Sequence, residues 1–314
     1  MLKGERMIEI ENLTKKFGDL KAVNNLSFKV EKGTIWGLLG PNAAGKTTTM
    51  RILTGYLPAT EGKAVVAGFD VFDQQNEVKR ITGYLPEHVP LYPEMTVRSY
   101  LDFVAAIKQI PSKQKSQAIE KAIAVSGLES VRGRLIRNIS RGFKQRVGIA
   151  QALIHDPQVL ILDEPTIGLD PAQIKEMRLL IKSLKGDRTI ILSTHILAEV
   201  TQTCDGVVII NDGNLMANGS LDELTATAQT KNGVFIRIRK GEKKQEELFN
   251  KITGVENVLF DGEGFLIEWS KEQNIQKDIT QTVVENDLIL LEMRPLAMNI
   301  EDLYLKVVSG GVEQ

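Results

Sequence analysis

Gly40-Pro41-Asn42-Ala43-Ala44-Gly45-Lys46-Thr47-Thr48 (GPNAAGKTT) follows directly on the apolar run Ile35–Leu39. Two glycines five positions apart, a single lysine and then hydroxyls fit the pattern G-x-x-x-x-G-K-[ST]. Glycines allow successive backbone N–H groups to turn inward around phosphate oxygens. Lys46 is placed to reach the β- and γ-phosphates of a nucleotide, and the Thr47 hydroxyl to ligate Mg²⁺. A helix expected from Gly45 to about Leu53 adds a dipole that favours anions at its start. The alternative, a plain glycine turn before a helix, fits less well, because the pattern sits between a strand and a helix where phosphate binding requires it.

Composition bounds the rest. The chain has 314 residues, 42% of them hydrophobic, enough for one large domain and a small one. Its formal net charge is −1, which gives a nucleic-acid partner no general support. Residues 1–224 carry a net +3 and residues 225–314 a net −4, so a domain boundary is expected near 225. The single cysteine, Cys204, rules out an internal disulfide and fits a reducing compartment. The first residues, MLKGERMIEIENL, lack an apolar signal-peptide core. No apolar run approaches the ~18 residues needed to span a bilayer. The expectation is a chain soluble by itself, cytoplasmic, and held at a membrane only through another protein.

Along the chain, Met7–Leu13, Ala22–Val30 and Thr34–Leu39 read as short strands separated by turn signals at Phe17-Gly18-Asp19 and Glu31-Lys32-Gly33. From Thr96 to Ser126 the period is helical, with a break at Pro111-Ser112, and a further helix follows Ser140. Val159–Leu162 is a continuous apolar run, as in a parallel sheet covered on both faces. Helix Ala172–Leu184, strand Thr189–Ser193, helix Ile196–Thr203 and strand Gly206–Asn211 follow. This alternation argues an α/β fold, with residues 90–150 as a helical insertion. The tail reads β-α-β-β-α-β: Val234–Arg239, Glu242–Lys251, Val255–Phe260, Phe265–Trp269, Glu272–Asn286 and Leu288–Met293. A terminal helix over Asn299–Val308 completes a small ferredoxin-like sandwich.

The apolar run at 159–162 ends in Asp163 and Glu164. Downstream of a phosphate-binding loop, an aspartate there holds Mg²⁺. Its neighbouring glutamate can orient or deprotonate the attacking water. Two solvated acids at a strand end are the alternative, and the upstream loop argues against it.

Asn138-Ile139-Ser140-Arg141-Gly142-Phe143-Lys144-Gln145-Arg146 lies shortly before that strand. Together with Phe17, Asp170 and His195 at their spacings, it resembles the ATP-binding subunit of an ABC transporter over about residues 7–224. Gly83–Val97 (GYLPEHVPLYPEMTV) and the small tail domain resemble the ATPases of ABC-2 type exporters, among them gliding-motility and multidrug or sodium-export systems. The resemblance implies a P-loop NTPase: a RecA-like core, an antiparallel β subdomain and the helical subdomain. It further implies that two chains close head to tail around two ATP molecules, working on a separate membrane permease.

Several residues take roles from that resemblance. Phe17 would stack on adenine, where stacking on a ring is worth ~1–3 kcal/mol. Ser140 and the Gly142 N–H would bind the γ-phosphate held by the other subunit. Asp170 would sit across that interface, although before Pro171 it could equally cap the next helix. His195 would contact the γ-phosphate and help Glu164 hold the water, with Lys46 completing the catalytic set. Leu91, Tyr92, Pro93, Met95 and Val97 are expected either at the permease contact or packed within the helical subdomain.

Three positions depart from the commonest family pattern. Ala43 stands where glycine is usual, and the expectation is that this position does not need φ > 0. Glu87 replaces the usual glutamine; it keeps an acceptor that could ligate Mg²⁺, but adds a charge. Arg141 and Phe143 replace a glycine and a glutamine in the signature turn. Arg132, Arg134, Arg137, Arg141, Lys144 and Arg146 form a basic region, read as a solvated face near phosphates rather than a nucleic-acid patch.

The rival reading is a soluble ABC ATPase acting on nucleic acid or ribosomes. Translation-type members carry two cassettes in one chain, and one is found here. Repair-type members insert long coiled coils, and Ser140 follows Lys46 too closely to leave room. An ordinary P-loop kinase or GTPase lacks the Ser140 signature and the histidine.

Overall fold

The structure is a computed structural model that describes residues 6–228, 231–270, 275–295 and 304. It forms two compact units, Met1–Leu221 and Asp222–Gln314.

The first unit begins with β1 (Arg6–Phe17), β2 (Leu20–Glu31) and β3 (Ile35–Leu39), then α1 (Lys46–Leu53). Next come β4 (Glu61–Val66), β5 (Phe69–Asp70), α2 (Gln75–Ile81) and β6 (Thr82–Leu85). Three helices follow: α3 (Val97–Ile107), α4 (Ser112–Val125) and α5 (Arg141–Leu153). The chain then alternates through β7 (Val159–Asp163), α6 (Pro171–Ser183), β8 (Thr189–Thr194), α7 (Leu197–Thr203), β9 (Gly206–Asn211) and β10 (Asn214–Ser220).

A six-stranded sheet has the order β10-β9-β3-β8-β7-β6, parallel except for the edge strand β10. Every residue of β7 and β8 is buried, which is why Val159–Leu162 reads as an unbroken apolar run. A second, antiparallel sheet has the order β2-β1-β4-β5. Ile8, Ile10 and Leu13 of β1 and Leu26, Phe28 and Val30 of β2 share a core with Met50 and Leu53 of α1, Ile161 of β7 and Ile191 of β8. Burying an aliphatic side chain of this size stabilises by roughly 1.5–3 kcal/mol. That common core clamps α1 between the two sheets and fixes the loop that precedes it.

Helix starts follow local chemistry. The Thr96 side chain accepts from the Ser99 N–H at the start of α3. Asp170 accepts from the Gln173 N–H at 2.9 Å and Pro171 opens α6, where its missing N–H costs nothing. The alternative reading of Asp170 as a cap therefore holds, which does not bar a further role. Val97, Tyr100, Leu101, Ile119, Ile123, Val131, Ile136, Val147 and Ala150 form the core of the helical region. Val97 is fully buried in it and so belongs to internal packing, while Leu91 and Met95 are half-buried against it. Tyr92 stays exposed, edge-on to Phe103 with ring centroids 5.4 Å apart.

The elements β4, β5, α2 and β10 go beyond the sequence-based expectation. Within this unit no described helix is long and apolar enough to cross a membrane, and the same holds for all described residues.

The second unit contains α8 (Leu221–Ala228, which straddles its start), β11 (Lys231–Ile238), α9 (Glu246–Asn250), β12 (Val255–Phe260), β13 (Phe265–Ser270), α10 (Gln276–Glu285) and β14 (Leu290–Pro295). Its strands form one antiparallel sheet in the order β12-β13-β11-β14. Val234, Ile236, Phe249, Phe265, Ile267, Trp269, Ile279 and Val283 fill a core between that sheet and helices α9 and α10. The helix expected over Asn299–Val308 lies outside the described residues, apart from Tyr304.

Candidate active site

In a parallel sheet the carboxyl ends of neighbouring strands open on the same edge. Here Leu39 of β3 is level with Thr194 of β8, and Asp163 of β7 with Ser193 of β8. The Gly40–Thr48 loop, Asp163-Glu164 and His195 are therefore delivered to one place by strand register alone.

The loop is held from three sides. The Gly40 N–H faces the Thr194 carbonyl, and a methyl group at residue 40 would collide with the Ile210 carbonyl. Gly45 has φ 100 and lies against the Ala22 carbonyl of β2, so a side chain there would be both strained and obstructed. The Gly213 N–H, in the β9–β10 turn, donates to the Ala44 carbonyl at 3.1 Å. Ala43 has φ 66, in the left-handed region. This corrects the expectation for that position: it does demand φ > 0, and the alanine meets it with a backbone cost of roughly 1–2 kcal/mol.

Lys46 Nζ donates to the carbonyls of Gly40 (2.8 Å) and Pro41 (3.0 Å). It also lies 3.5 Å from Glu164 Oε1, both side chains being buried. The other carboxylate oxygen, Glu164 Oε2, is 3.0 Å from His195 Nδ1. Glu164 itself has φ 46, a conformation that non-glycine residues hold mainly where surrounding contacts impose it. One such contact is its N–H donating to Ser193 Oγ at 2.9 Å.

Asp163 lies beside this group. Its Oδ1 accepts from Ser193 Oγ at 2.6 Å and from Thr47 Oγ1 at 3.2 Å. Its Oδ2 is buried with no hydrogen-bond partner. Burial pushes the Asp163 carboxyl above its ordinary range, the hydroxyls of Ser193 and Thr47 pull it down, and the charge of Glu87 pushes it up again. Glu87 is thus near enough to be felt by Asp163, while its side chain is partly exposed. A buried, unpartnered carboxylate oxygen next to a threonine hydroxyl suits a hard divalent cation. Mg²⁺ typically takes one or two protein oxygens and completes its shell with water and substrate phosphate, so the short donor set of Thr47 and Asp163 fits. Among the described residues no cluster of three or more His, Cys, Asp or Glu side chains could hold a metal.

Ser140, Gly142 and Asp170 form a separate group. Ser140 caps α5, its side chain accepting from the Phe143 N–H at 3.4 Å. A methyl group on Gly142 would lie 2.8 Å from Gln173 Oε1 of α6, so the starts of α5 and α6 face each other. The Arg141 guanidinium covers Gly168, which has φ 68. Among the described residues no hydrogen bond links this group to Lys46, Thr47, Asp163 or Glu164. Phe17, at the end of β1, is 49% exposed, with Lys15 Nζ 5.1 Å from its ring centre. In the basic region, Arg132, Arg137 and Arg146 pair with Glu120, Glu94 and Glu176.

Two participants escape sequence reasoning. Ser193 joins Asp163 to the Glu164 backbone, and nothing in its strand context marks it apart from its neighbour Thr194-His195. Glu199 looks like an ordinary helix-surface acid in Ile196–Thr203, yet its carboxylate is buried and accepts from Thr166 and Thr194.

A family model described as ABC transporter matches residues 23–167. The chain is 35% identical over 308 residues to the bacitracin transport ATP-binding protein BcrA of Bacillus licheniformis, covering 97% of this chain and 98% of that protein. It is 33% identical to the ABC transporter ATP-binding protein YdbJ of Bacillus subtilis, covering 99% and 98%. A solved ATP-binding subunit of an ABC transporter matches with a TM-score of 0.64 at 29% identity, over 71% of this chain and 93% of that one. The cbiO1 subunit of the Clostridium perfringens transporter complex cbiONQ matches with a TM-score of 0.65 at 25% identity, over 72% and 92%.

Proposed function

Because this chain belongs to the ATP-binding subunits of ABC transporters and is an ATPase of that family, we propose that it powers an ABC-2 type exporter by closing as a homodimer around two Mg·ATP. The observation that carries this reading is the buried line Lys46–Glu164–His195, with the unpartnered Asp163 Oδ2 beside it.

The residues divide the work by their chemistry. Backbone N–H groups from Asn42 to Thr47, with Thr48 at the helix start and Gly40 and Pro41 shaping the turn, cradle the phosphates. Lys46 transfers its ammonium from the loop carbonyls to the β/γ-phosphates. Thr47 and Asp163, with Glu87 farther out, would hold Mg²⁺, which would supply neutralisation of phosphate charge. Glu164 accepts a proton from the attacking water, and His195 orients both that carboxylate and the γ-phosphate. Phe17 stacks on the base. Electrostatic preorganisation of this kind supplies most of the rate in phosphoryl transfer.

Ser140, Gly142 and Asp170 serve the nucleotide held by the second copy. Their position in a group of their own, on facing helix starts, supports the shared site. The Arg141 and Phe143 replacements leave the Ser140 hydroxyl and the Gly142 N–H in place.

The helical region from about 90 to 150 presents Tyr92, Pro93 and Phe103 to a permease. The permease keeps the ATPase at the inner face of the membrane and selects the cargo. The full-length likeness to a bacitracin transport protein supports drug export as the class of work. The two-domain division, residues 1–224 and 225–314, belongs to the same proposal. The tail is read as ferredoxin-like, supported by its strand order and its two helices.

Size measurement of the Glu164→Gln chain tests the reading. With saturating Mg·ATP it should accumulate as a dimer, because the base that resets the closed state is gone. A monomer under those conditions overturns the shared site.

A further inference from the structure

Glu199 opens α7 and is 5% exposed. Its Oε1 accepts from Thr166 Oγ1 at 2.6 Å and its Oε2 from Thr194 Oγ1 at 2.7 Å. Thr166 follows Glu164 by two positions, and Thr194 precedes His195. The same Thr194 oxygen accepts from the Ile196 N–H at 3.1 Å, and the Glu199 N–H returns to the Ile196 carbonyl. One carboxylate thus ties the loop that carries the base to Thr194, the residue before the histidine, while the Thr194 hydroxyl and the Glu199 N–H hold Ile196 after it.

The His195 side chain is 41% exposed, and its ring is bonded to Glu164. A ring so placed takes its aim from its own backbone, and that backbone is held by Thr194 and Ile196. Glu164, at φ 46, likewise needs its surroundings to keep its conformation. A buried carboxylate is costly unless hydrogen-bonded, and two short hydroxyl donors are the compensation found here.

We infer that Glu199 is a positioning residue for ATP hydrolysis, which sets the Glu164–His195 geometry through Thr166 and Thr194. Its two carboxylate oxygens are engaged by these two hydroxyls, so it acts through them. This rests on the reading of Glu164 and His195 as the groups that act on the attacking water.

The test is steady-state ATP hydrolysis by the full chain. Glu199→Ala lowers kcat about 100-fold, the scale of a small misplacement at a reacting centre, while KM for ATP stays within about twofold. Glu199→Gln keeps the shape and one acceptor, and so recovers to about a tenfold deficit. Thr194→Val, which leaves the Thr166 bond intact, falls between them and guards against a folding failure of the alanine variant. In a His195→Ala background Glu199→Gln costs clearly less than its roughly tenfold effect alone, since one of the two groups it positions is gone while Glu164 remains.

Unchanged kcat in Glu199→Gln and Thr194→Val overturns the inference. So does a loss confined to KM, or a full multiplicative loss on top of His195→Ala. Wild-type turnover in His195→Ala alone would instead refute the role of His195, and the inference with it.

Discussion

Lys46 Nζ and Glu164 Oε1 lie 3.5 Å apart with both side chains buried, so the cation of the phosphate loop and the carboxylate after β7 stabilise each other. Removing one member of a buried pair leaves the other uncompensated, at a cost of about 3–5 kcal/mol. Lys46→Ala should therefore unfold at a lower urea concentration than the parent chain, by about 3 kcal/mol. Adding Glu164→Gln should return much of that loss. Strict additivity of the two substitutions in urea unfolding would show that the pair is not coupled.

A second expectation concerns Gly168, whose φ of 68 strains any side chain and whose added Cβ would meet the end of the Arg141 side chain. Gly168→Ala should cost about 1–2 kcal/mol from the backbone alone, and more from displacing Arg141. In an Arg141→Ala background only the backbone part should remain. Equal costs in both backgrounds would mean that the guanidinium moves aside freely.

Ala43 offers the opposite case, since it already carries its Cβ at φ 66. Ala43→Gly removes a strain of about 1–2 kcal/mol and adds about 0.5–1 kcal/mol of unfolded-state entropy. The net expectation is a gain of about 0.5–1 kcal/mol in thermal or urea unfolding. A clear loss would place the strain elsewhere in the loop.

His155 gives a pH dependence away from the nucleotide. Its Nε2 donates to the Thr82 carbonyl at 3.1 Å, its Nδ1 is buried without a partner, and burial followed by the charge of Lys108 lowers its pKa to about 4. The unfolded chain takes up that proton near pH 6.5, so between pH 6.5 and about 4 it binds more protons than the folded chain. Stability from this group is complete above pH 6.5 and is lost as pH falls through that window, by up to about 3 kcal/mol. His155→Gln, which keeps a donor to Thr82, should flatten the curve. Parallel curves for parent and variant would contradict the assignment.

Much of the core was legible because apolar runs end where chemistry begins. Ile35–Leu39 runs into the glycine loop and Val159–Leu162 into Asp163-Glu164, so the strand ends could be read directly. The short β4, β5 and α2 were not, because Glu61–Asp70 is broken by turn residues and the seven residues of Gln75–Ile81 are too few for a helical period to declare itself. Ala43 was misread because composition carries no dihedral. Glu199 was missed because its partners, Thr166 and Thr194, become neighbours only after two loops fold together. In the tail the elements were visible, and the turn Asp261–Gly264 between them signalled the pairing of β12 with β13, while periodicity alone does not say which of the other strands pair.

Gly148 has one more consequence. A methyl group there would lie 2.5 Å from Leu85 Cδ1 and 2.9 Å from Val89 Cγ2, so the backbone of α5 rests directly on the chain either side of Glu87. The same helix supplies Val147 and Ala150 to the helical core. Interiors packed this closely compress little. No compressible layer therefore separates the middle of α5 from the chain on either side of Glu87, so the two keep a fixed spacing.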